Sequence, residues 1–290
     1  MSEQGTPISF VSDGLTYAGL EWGDPEGQLV LALHGWLDNA LSFSVLAPHL
    51  DNVRLIALDL SGQGFSDHRS ADATYHIWDD VPQLVGIVNQ LGVSQVAVMG
   101  HSRGAAIATL LASALGGRCS DLILLDGALP VPVSEASAAM QLRQSLLDHA
   151  RLNQYTARLF NDDEAFIAAR AKLGFSAASA RVLAPRALRS KDDGFELLHD
   201  PRLNHASAVK LTQGMCDAFY SALAAQTLAI VAESGRQTRD SLKPGIAALE
   251  RLANAVVRVV PGGHHTHMEE GAQSVAEHIN RFLCNGPTDG

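Results

Sequence analysis

The sequence predicts an α/β protein whose core is a mostly parallel sheet with helices on both faces. Two observations predict this class: short apolar runs recur in both terminal parts of the chain, and segments with helical spacing separate them. Strands that alternate with helices favour a parallel sheet, because their connections are right-handed crossovers. A third observation, a long middle stretch with helical patterning alone, predicts an insertion between two parts of that sheet.

Eight short segments are predicted to form the strands of this sheet. The first two flank the turn sequence Ser12-Asp13-Gly14 and are expected to pair antiparallel. The third and fourth are apolar runs, a composition typical of strands buried on both faces. The predicted strands are residues 8–11, 15–21, 29–33, 54–58, 95–99, 122–125, 228–232 and 256–260.

The helical pattern divides the chain into two kinds of segment. Residues 79–91, 105–115, 244–254 and 270–283 have helical spacing and lie between or after predicted strands. Between Pro130 and Ala225 the pattern changes, and no convincing strand is visible. We therefore expect residues 1–129 and 226–290 to form one core domain and residues 130–225 to form an inserted helical cap. Its predicted helices are residues 134–152, 162–173, 177–188 and 210–224.

Composition excludes several classes of protein. The 290-residue chain is 47% hydrophobic and 18% charged, which is typical of a globular protein with a large core. A formal net charge of −10 argues against a nucleic-acid partner, whose phosphates require a basic face. Three scattered cysteines indicate a reducing compartment rather than a disulfide framework or a zinc site. With no signal-peptide pattern and no run of 18 apolar residues, we expect a cytoplasmic protein without a membrane partner.

The most informative motif is Gly100-His101-Ser102-Arg103-Gly104. It follows a predicted strand and precedes an alanine-rich helical stretch, which is the context of a nucleophile elbow. Such a turn holds its serine in a sparsely populated backbone conformation, and small residues must pack on either side. It also places the hydroxyl at a helix N-terminus, where developing negative charge is stabilised. We predict that Ser102 is a nucleophile.

A serine hydroxyl needs a neighbouring base, and a histidine-rich loop near the end of the chain offers candidates. The segment Pro261-Gly262-Gly263-His264-His265-Thr266-His267 directly follows the last predicted strand. The glycine pair allows the loop to bring an imidazole over the edge of the sheet, so His264 is the predicted base. His265 and His267 are interpreted as residues of the pocket wall or of the entry to the last helix. No acidic or cysteine partner lies at ligand spacing, so we expect neither a metal nor a cofactor.

Four motifs in order resemble those of the α/β-hydrolase superfamily along nearly the whole chain. They are His34-Gly35-Trp36, the segment from Asp59 to Ser66, the Ser102 elbow and Gly263-His264. More narrowly, the segments from His34 to Phe43 and from Gly263 to Glu269 resemble the serine hydrolase-like proteins. The resemblance implies an α/β-hydrolase fold with an eight-stranded sheet and a catalytic triad.

The chain departs from the superfamily pattern at the triad acid. The resemblance implies an aspartate after the seventh strand, but Gly235 stands at that position and the nearby acid is Glu233. Some members, including many haloalkane dehalogenases, carry the acid after the sixth strand, where this chain has Asp126. We therefore expect Asp126 to orient His264, with Glu233 as the alternative acid. A turn-capping role for Asp126 is the competing interpretation.

The resemblance further implies an oxyanion hole formed by the backbone N–H groups of Trp36 and Arg103. The sequence predicts a serine hydrolase that cleaves a carboxylic ester or similar small acyl substrate, as a monomer or homodimer. Thioester, lactone or carbon–carbon bond hydrolysis, or a cofactor-free lyase reaction, remains open on the same residues. A non-catalytic ligand-binding protein on a hydrolase scaffold is the alternative from another class.

Overall fold

A computed structural model of the protein describes residues 5–152, 159–233 and 236–286. It contains a large sheet of eight strands and a small sheet of three, which confirms the predicted α/β class. In chain order the strands are β1 Thr6–Ser12, β2 Leu15–Gly23, β3 Gln28–Leu33, β4 Val53–Leu58, β5 Val96–His101, β6 Cys119–Leu125, β7 Leu159–Phe160, β8 Leu188–Lys191, β9 Gly194–Leu197, β10 Gln226–Ala232 and β11 Ala255–Val260.

The large sheet has the strand order β1-β2-β4-β3-β5-β6-β10-β11. As predicted, β1 and β2 pair antiparallel, and β2 also runs antiparallel to β4. The strands from β4 to β11 in this order pair in parallel. The carboxyl ends of β3, β5 and β6 therefore meet at one edge near the middle of the sheet, where α/β proteins usually bind ligands.

Helices cover both faces of the large sheet. Alternate side chains of β3 point to opposite faces: Leu31 packs with Leu84 and Leu111, whereas Val30 packs on the face that contains Phe282. Burial of each such side chain contributes about 1.5–3 kcal/mol. No helix within the described ranges is both long and apolar enough to span a bilayer. The helices are α1 Val81–Gln90, α2 Arg103–Leu115, α3 Ala138–Leu152, α4 Asp163–Ala171, α5 Ala177–Ala187, α6 Gln213–Ser221, α7 Arg236–Leu249 and α8 Ala272–Asn285.

The segment between β6 and β10, residues 126–225, contains the four predicted helices but is not purely helical. The expectation that it holds no strand is wrong, because β7, β9 and β8 form a small antiparallel sheet there. The hairpin strands β8 and β9 have only four residues each and alternate weakly between polar and apolar, so they give no strand signal. Phe195 of β9 packs against a separate small core that includes Phe160 and Phe166.

Helix α7 also differs from the sequence expectation. It spans Arg236–Leu249 rather than 244–254, so Pro244 lies inside the helix and not in its first turn. Proline is common at the first helical position because it lacks an N–H group to donate. The predicted start at Pro244 relied on this preference and is wrong, because the helix contains the proline in its interior.

Candidate active site

The turn between β5 and α2 holds Ser102 in a strained conformation. Its φ of 53° and ψ of −116° lie in a region that residues other than glycine rarely adopt. The N–H of Ser102 donates to the carbonyl of Leu125 at 3.1 Å, which ties the turn to β6. A Cβ on Gly100 would collide with the backbone of Gly104, and a Cβ on Gly104 would collide with the carbonyl of Leu33. Both flanking positions therefore require glycine.

The structure brings three of the sequence-predicted residues into one hydrogen-bonded chain. The distance from Ser102 Oγ to His264 Nε2 is 2.9 Å, and that from His264 Nδ1 to Asp126 Oδ2 is 2.7 Å. A carboxylate only accepts, so Nδ1–H of His264 donates to Asp126. Nε2 of the neutral ring then carries the lone pair and accepts from the Ser102 hydroxyl. The ring is thus arranged to take the serine proton.

Asp126 follows β6 and is held rigidly by backbone groups. Its N–H donates to the carbonyl of Ile230 at 2.7 Å, and its Oδ1 accepts from the N–H of Ala232 at 2.8 Å. Its side chain is 4% exposed, and its φ is 40°. Since Oδ1 is engaged by β10, Oδ2 remains to contact His264. The carboxylate therefore joins the two neighbouring strands and also orients the imidazole.

The alternative acid lies in a different environment. Glu233 is exposed to solvent, and its backbone N–H donates to the carbonyl of Val260 at 2.9 Å. The Nδ1 atom of His264, which a triad acid would contact, already contacts Asp126. Gly235, at the more usual acid position, lies outside the described residues.

The loop that carries His264 is fixed by a second histidine. Nε2–H of His101, the residue before Ser102, donates to the backbone carbonyl of His264 at 2.9 Å. His267 is buried and contacts the hydroxyl of Ser42 through Nε2 at 3.0 Å. Burial lowers the pKa of His265 to about 3 and holds the pKa of His267 well below its ordinary value. Both rings are therefore neutral near pH 7.

The two backbone N–H groups that are expected to bind an oxyanion belong to different elements of the fold. Arg103 is the first residue of α2, where a helix offers its N–H groups no acceptor. Trp36 lies in the loop after β3, in which the N–H of Leu37 donates to Gln63 Oε1 at 2.7 Å. Across the described part of the chain, no hydrogen bond engages the N–H of Trp36 or Arg103. Both groups are free to donate to a ligand.

The side chain of Arg103 binds backbone carbonyls beside the site. Its Nη2 donates to the carbonyl of Tyr75 at 2.8 Å and to that of His76 at 3.4 Å. Burial lowers the pKa of this guanidinium from its ordinary value. The arginine therefore holds the chain around residue 75 beside the site.

A cavity of about 580 Å³ adjoins Ser102 and His264. Its walls are mainly apolar and come mostly from the segment after β6, with further residues from the start of α2 and from α7. A volume of this size accommodates a small organic substrate. The cavity is lined by Ile77, Ser102, Arg103, Ala106, Asp126, Gly127, Ala128, Leu129, Pro130, Val131, Ser241, Leu242 and His264.

Two buried arginines of residues 126–225 reach the edge of the large sheet, and sequence reasoning missed both. Arg170 of α4 donates to Asp38 Oδ1 at 2.6 Å, and Arg186 of α5 pairs with Asp59. Asp38 is thus paired with Arg170 and does not line the cavity beside Ser102. The sequence does carry one signal for these arginines. Asp38 and Asp59 lie in segments that follow strands predicted to be buried, and a buried carboxylate requires a partner.

Three histidines could supply metal ligands. One ligand atom from each of His101, His264 and His265 lies within 4.8 Å of the others. Both ring nitrogens of His264 already engage Ser102 and Asp126, and Nε2 of His101 engages a carbonyl. A cation here would have to break the hydrogen-bonded chain. The donor set therefore fits proton transfer better than metal binding.

The fold and this edge of the sheet define a class of protein. Residues 28–271 match the family described as the α/β hydrolase fold, and the chain belongs to that family. Within it, the chain is close to the serine hydrolase-like proteins. The family and these relatives together support a hydrolase.

Specific relatives cover most of the chain. A "Serine hydrolase-like protein" of Danio rerio is 29% identical over 91% of this chain and 84% of its own length. A "Probable serine hydrolase" of Drosophila melanogaster is 31% identical over 90% of this chain and 82% of its own length. The crystal structure of a hypothetical protein from Pseudomonas aeruginosa PAO1 is similar with a TM-score of 0.90 and 33% identity. That alignment covers 96% of this chain and 99% of the other.

Proposed function

We propose that this protein is a serine hydrolase that cleaves a carboxylic ester or a similar small acyl substrate through an acyl-enzyme. The observation that carries the proposal is the chain of hydrogen bonds from Ser102 through His264 to Asp126 at the wall of an apolar cavity. A nucleophile, a base and an acid in this geometry are the groups that acyl transfer needs.

In the proposed reaction, Ser102 Oγ attacks the carbonyl carbon while its proton moves to Nε2 of His264. The tetrahedral intermediate expels the alcohol, which takes that proton from the imidazolium. Water then enters, loses a proton to His264 and attacks the acyl carbon. Ser102 recovers its proton as the carboxylic acid leaves. Asp126 stays ionised and stabilises the imidazolium in both halves.

Negative charge on the tetrahedral oxygen would be stabilised by the backbone N–H groups of Trp36 and Arg103. The proposal is supported by the absence, throughout the described ranges, of any acceptor already bound to either group. One such donor is worth about 10²–10³ in turnover. The N-terminus of α2 adds a positive potential at the same place.

We further infer that residues 130–225 act as a cap on a core formed by residues 1–129 and 226–290. The buried Arg170–Asp38 and Arg186–Asp59 pairs support this division, as does the bond from Trp36 Nε1 to the carbonyl of Leu203 at 3.0 Å. The three cysteines are free, which supports a cytoplasmic location.

The test is covalent labelling and turnover of the wild type against S102A. A fluorophosphonate probe should label Ser102 in the wild type, with the modified peptide located by mass spectrometry. With p-nitrophenyl esters of increasing acyl length, S102A should lose activity by about 10⁴-fold or more. Substitution of the exposed Ser70 by alanine is the matched control and should keep wild-type activity.

Each result decides between the alternatives. Undiminished ester cleavage by S102A, or a wild type that the probe does not label, would refute the proposal. A wild type that binds acyl compounds without labelling would instead be a ligand-binding protein. Labelling at Ser102 without ester turnover would direct product analysis to thioesters, lactones, carbon–carbon bonds and eliminations.

A further inference from the structure

We propose that Arg170, which lies outside the large sheet and its loops, is a positioning residue that holds the two active-site loops relative to each other. One loop follows β3 and carries Trp36; the other follows β11 and carries His264. The inference rests on the proposed function and assigns a role to a side chain that contacts neither Ser102 nor the cavity beside it.

The first contact of Arg170 is with the loop after β3. Its Nη2 donates to Asp38 Oδ1 at 2.6 Å, and both side chains are almost fully buried. Burial alone would raise the pKa of Asp38, but the neighbouring His101 and Arg170 lower it to about 2. The pair is therefore ionised. Since removal of Arg170 would leave the buried charge of Asp38 without this partner, we expect the position of the loop to change when Arg170 is lost.

The second contact of Arg170 leads to the loop after β11. Its guanidinium carbon lies 3.8 Å from the ring centroid of Phe175, within reach of a cation–π interaction. Phe175 in turn stacks on His265, with centroids 3.8 Å apart and planes at 26°. His265 directly follows His264 in the chain. The stack of three side chains therefore ends on the residue next to the proposed base.

A second series of contacts, through His101 in the core, also connects Arg170 to the loop of His264. Asp38 Oδ2 lies 3.7 Å from Nδ1 of His101, and Nε2–H of His101 donates to the carbonyl of His264 at 2.9 Å. The two routes from Arg170 thus converge on His264 and His265. His101 also precedes Ser102 directly. A shift of the guanidinium would therefore move Trp36 N–H and His264 relative to the serine hydroxyl.

Arg186 provides an internal comparison. It comes from the next helix of residues 126–225, is equally buried and pairs with the motif acid Asp59. Asp59 accepts from the N–H groups of Ala40 and Phe65 at 2.7 and 2.8 Å. Ala40 directly follows the loop after β3, but neither contact involves the loop of His264. Loss of Arg186 should therefore destabilise the protein, whereas loss of Arg170 should also misalign the catalytic groups.

The experiment compares R170M with R186M, and with R181M as a surface control. Arg181 is exposed on α5 and pairs with the exposed Glu164. The measurements are kcat and KM with a p-nitrophenyl ester, the rate of fluorophosphonate labelling, and the unfolding temperature. We expect R170M to lose about 10- to 100-fold in kcat and in labelling rate, with KM changed by less than about threefold.

The charge-preserving variant adds a test of geometry. Lysine keeps the charge but lacks the planar fork and the stacking surface, so R170K should fall between the wild type and R170M. R186M should lower the unfolding temperature while kcat stays within about threefold of the wild type. F175L, at a half-buried position, cuts the stack without removing a charge and should lower kcat by about tenfold. It serves as the test should R170M not fold.

The outcomes separate this inference from the proposed function. A wild type that is not labelled refutes the proposed function itself. A labelled wild type together with R170M or F175L at the wild-type kcat and labelling rate overturns the positioning role alone. Equal losses of kcat in R170M and R186M would also overturn it, because they would show a general effect of instability.

Discussion

The buried histidines near the site predict a steep loss of stability in mild acid. The perturbation is H265F, which replaces a neutral imidazole by an aromatic ring of similar shape that can still stack on Phe175. Burial, followed by neighbouring charges, lowers the pKa of His265 from 6.5 to about 3. Burial also lowers the pKa values of His34 and His267. Below about pH 6.5 the unfolded chain binds a proton at these imidazoles more readily than the folded protein does.

The magnitude follows from linkage between protonation and folding. Each histidine held neutral contributes about 1.4 kcal/mol of lost stability per pH unit below pH 6.5. Between about pH 7.5 and pH 5, His265 alone therefore costs about 2 kcal/mol. The lowered pKa values of His34 and His267 act in the same direction. The pKa of Asp38, lowered to about 2, affects stability only below about pH 4, outside this window. The loss from His265 is a substantial part of the whole stability of a typical domain, about 5–15 kcal/mol.

The assay is urea unfolding followed by tryptophan fluorescence at several pH values. The free energy of unfolding of the wild type should fall steeply as the pH decreases from about 7.5 to about 5. In H265F the fall should be smaller by about 2 kcal/mol, whatever the variant's stability at neutral pH. H49Q, which replaces a histidine at an exposed position, is the control and should fall like the wild type. Parallel curves for H265F and the wild type would refute the reasoning.

Two further predictions concern the acid and the thiols. D126N should lower kcat by about 10⁴-fold, because an amide no longer fixes the imidazole tautomer, whereas E233Q should stay near the wild type. Esterase kinetics measure both variants, and the reverse pattern would make Glu233 the acid. A thiol reagent should modify one cysteine in the native protein and three in denaturant. Cys284 is exposed, whereas Cys119 and Cys216 are buried. Burial also raises the pKa of the Cys119 thiol to about 12. Rapid reaction of three thiols in the native state would contradict the burial.

Much of the large sheet could be predicted because its strands carry a strong local signal. Central parallel strands are buried on both faces and read as apolar runs, so the predicted 29–33 and 54–58 match β3 and β4 within one residue. The hairpin of β8 and β9 escaped prediction because its short strands are half-exposed or exposed and largely polar. Helix α7 escaped at its start because Pro244 mimics a first-turn residue.

Some residues of the candidate site could likewise be predicted from the sequence, and others could not. Ser102 and His264 lie in motifs with glycines whose local geometry can be reasoned from the sequence, and in the structure their side chains are in contact. The partners of Asp38 could not be predicted, because Arg170 is 132 residues away and no spacing rule relates the two. The loop-to-loop contacts depend on how residues 126–225 pack, which helical periodicity does not specify.

The backbone conformation of Ser102 and Asp126 determines what a substitution at either position would cost. Both residues hold a positive φ, at a cost of about 1–3 kcal/mol each that the rest of the fold must offset. Replacement of Ser102 by glycine would relieve this cost, whereas replacement of Asp126 would also remove the acceptor of the Ala232 N–H. Under the proposed function, the strain at Ser102 is a cost that serves the reaction rather than the fold.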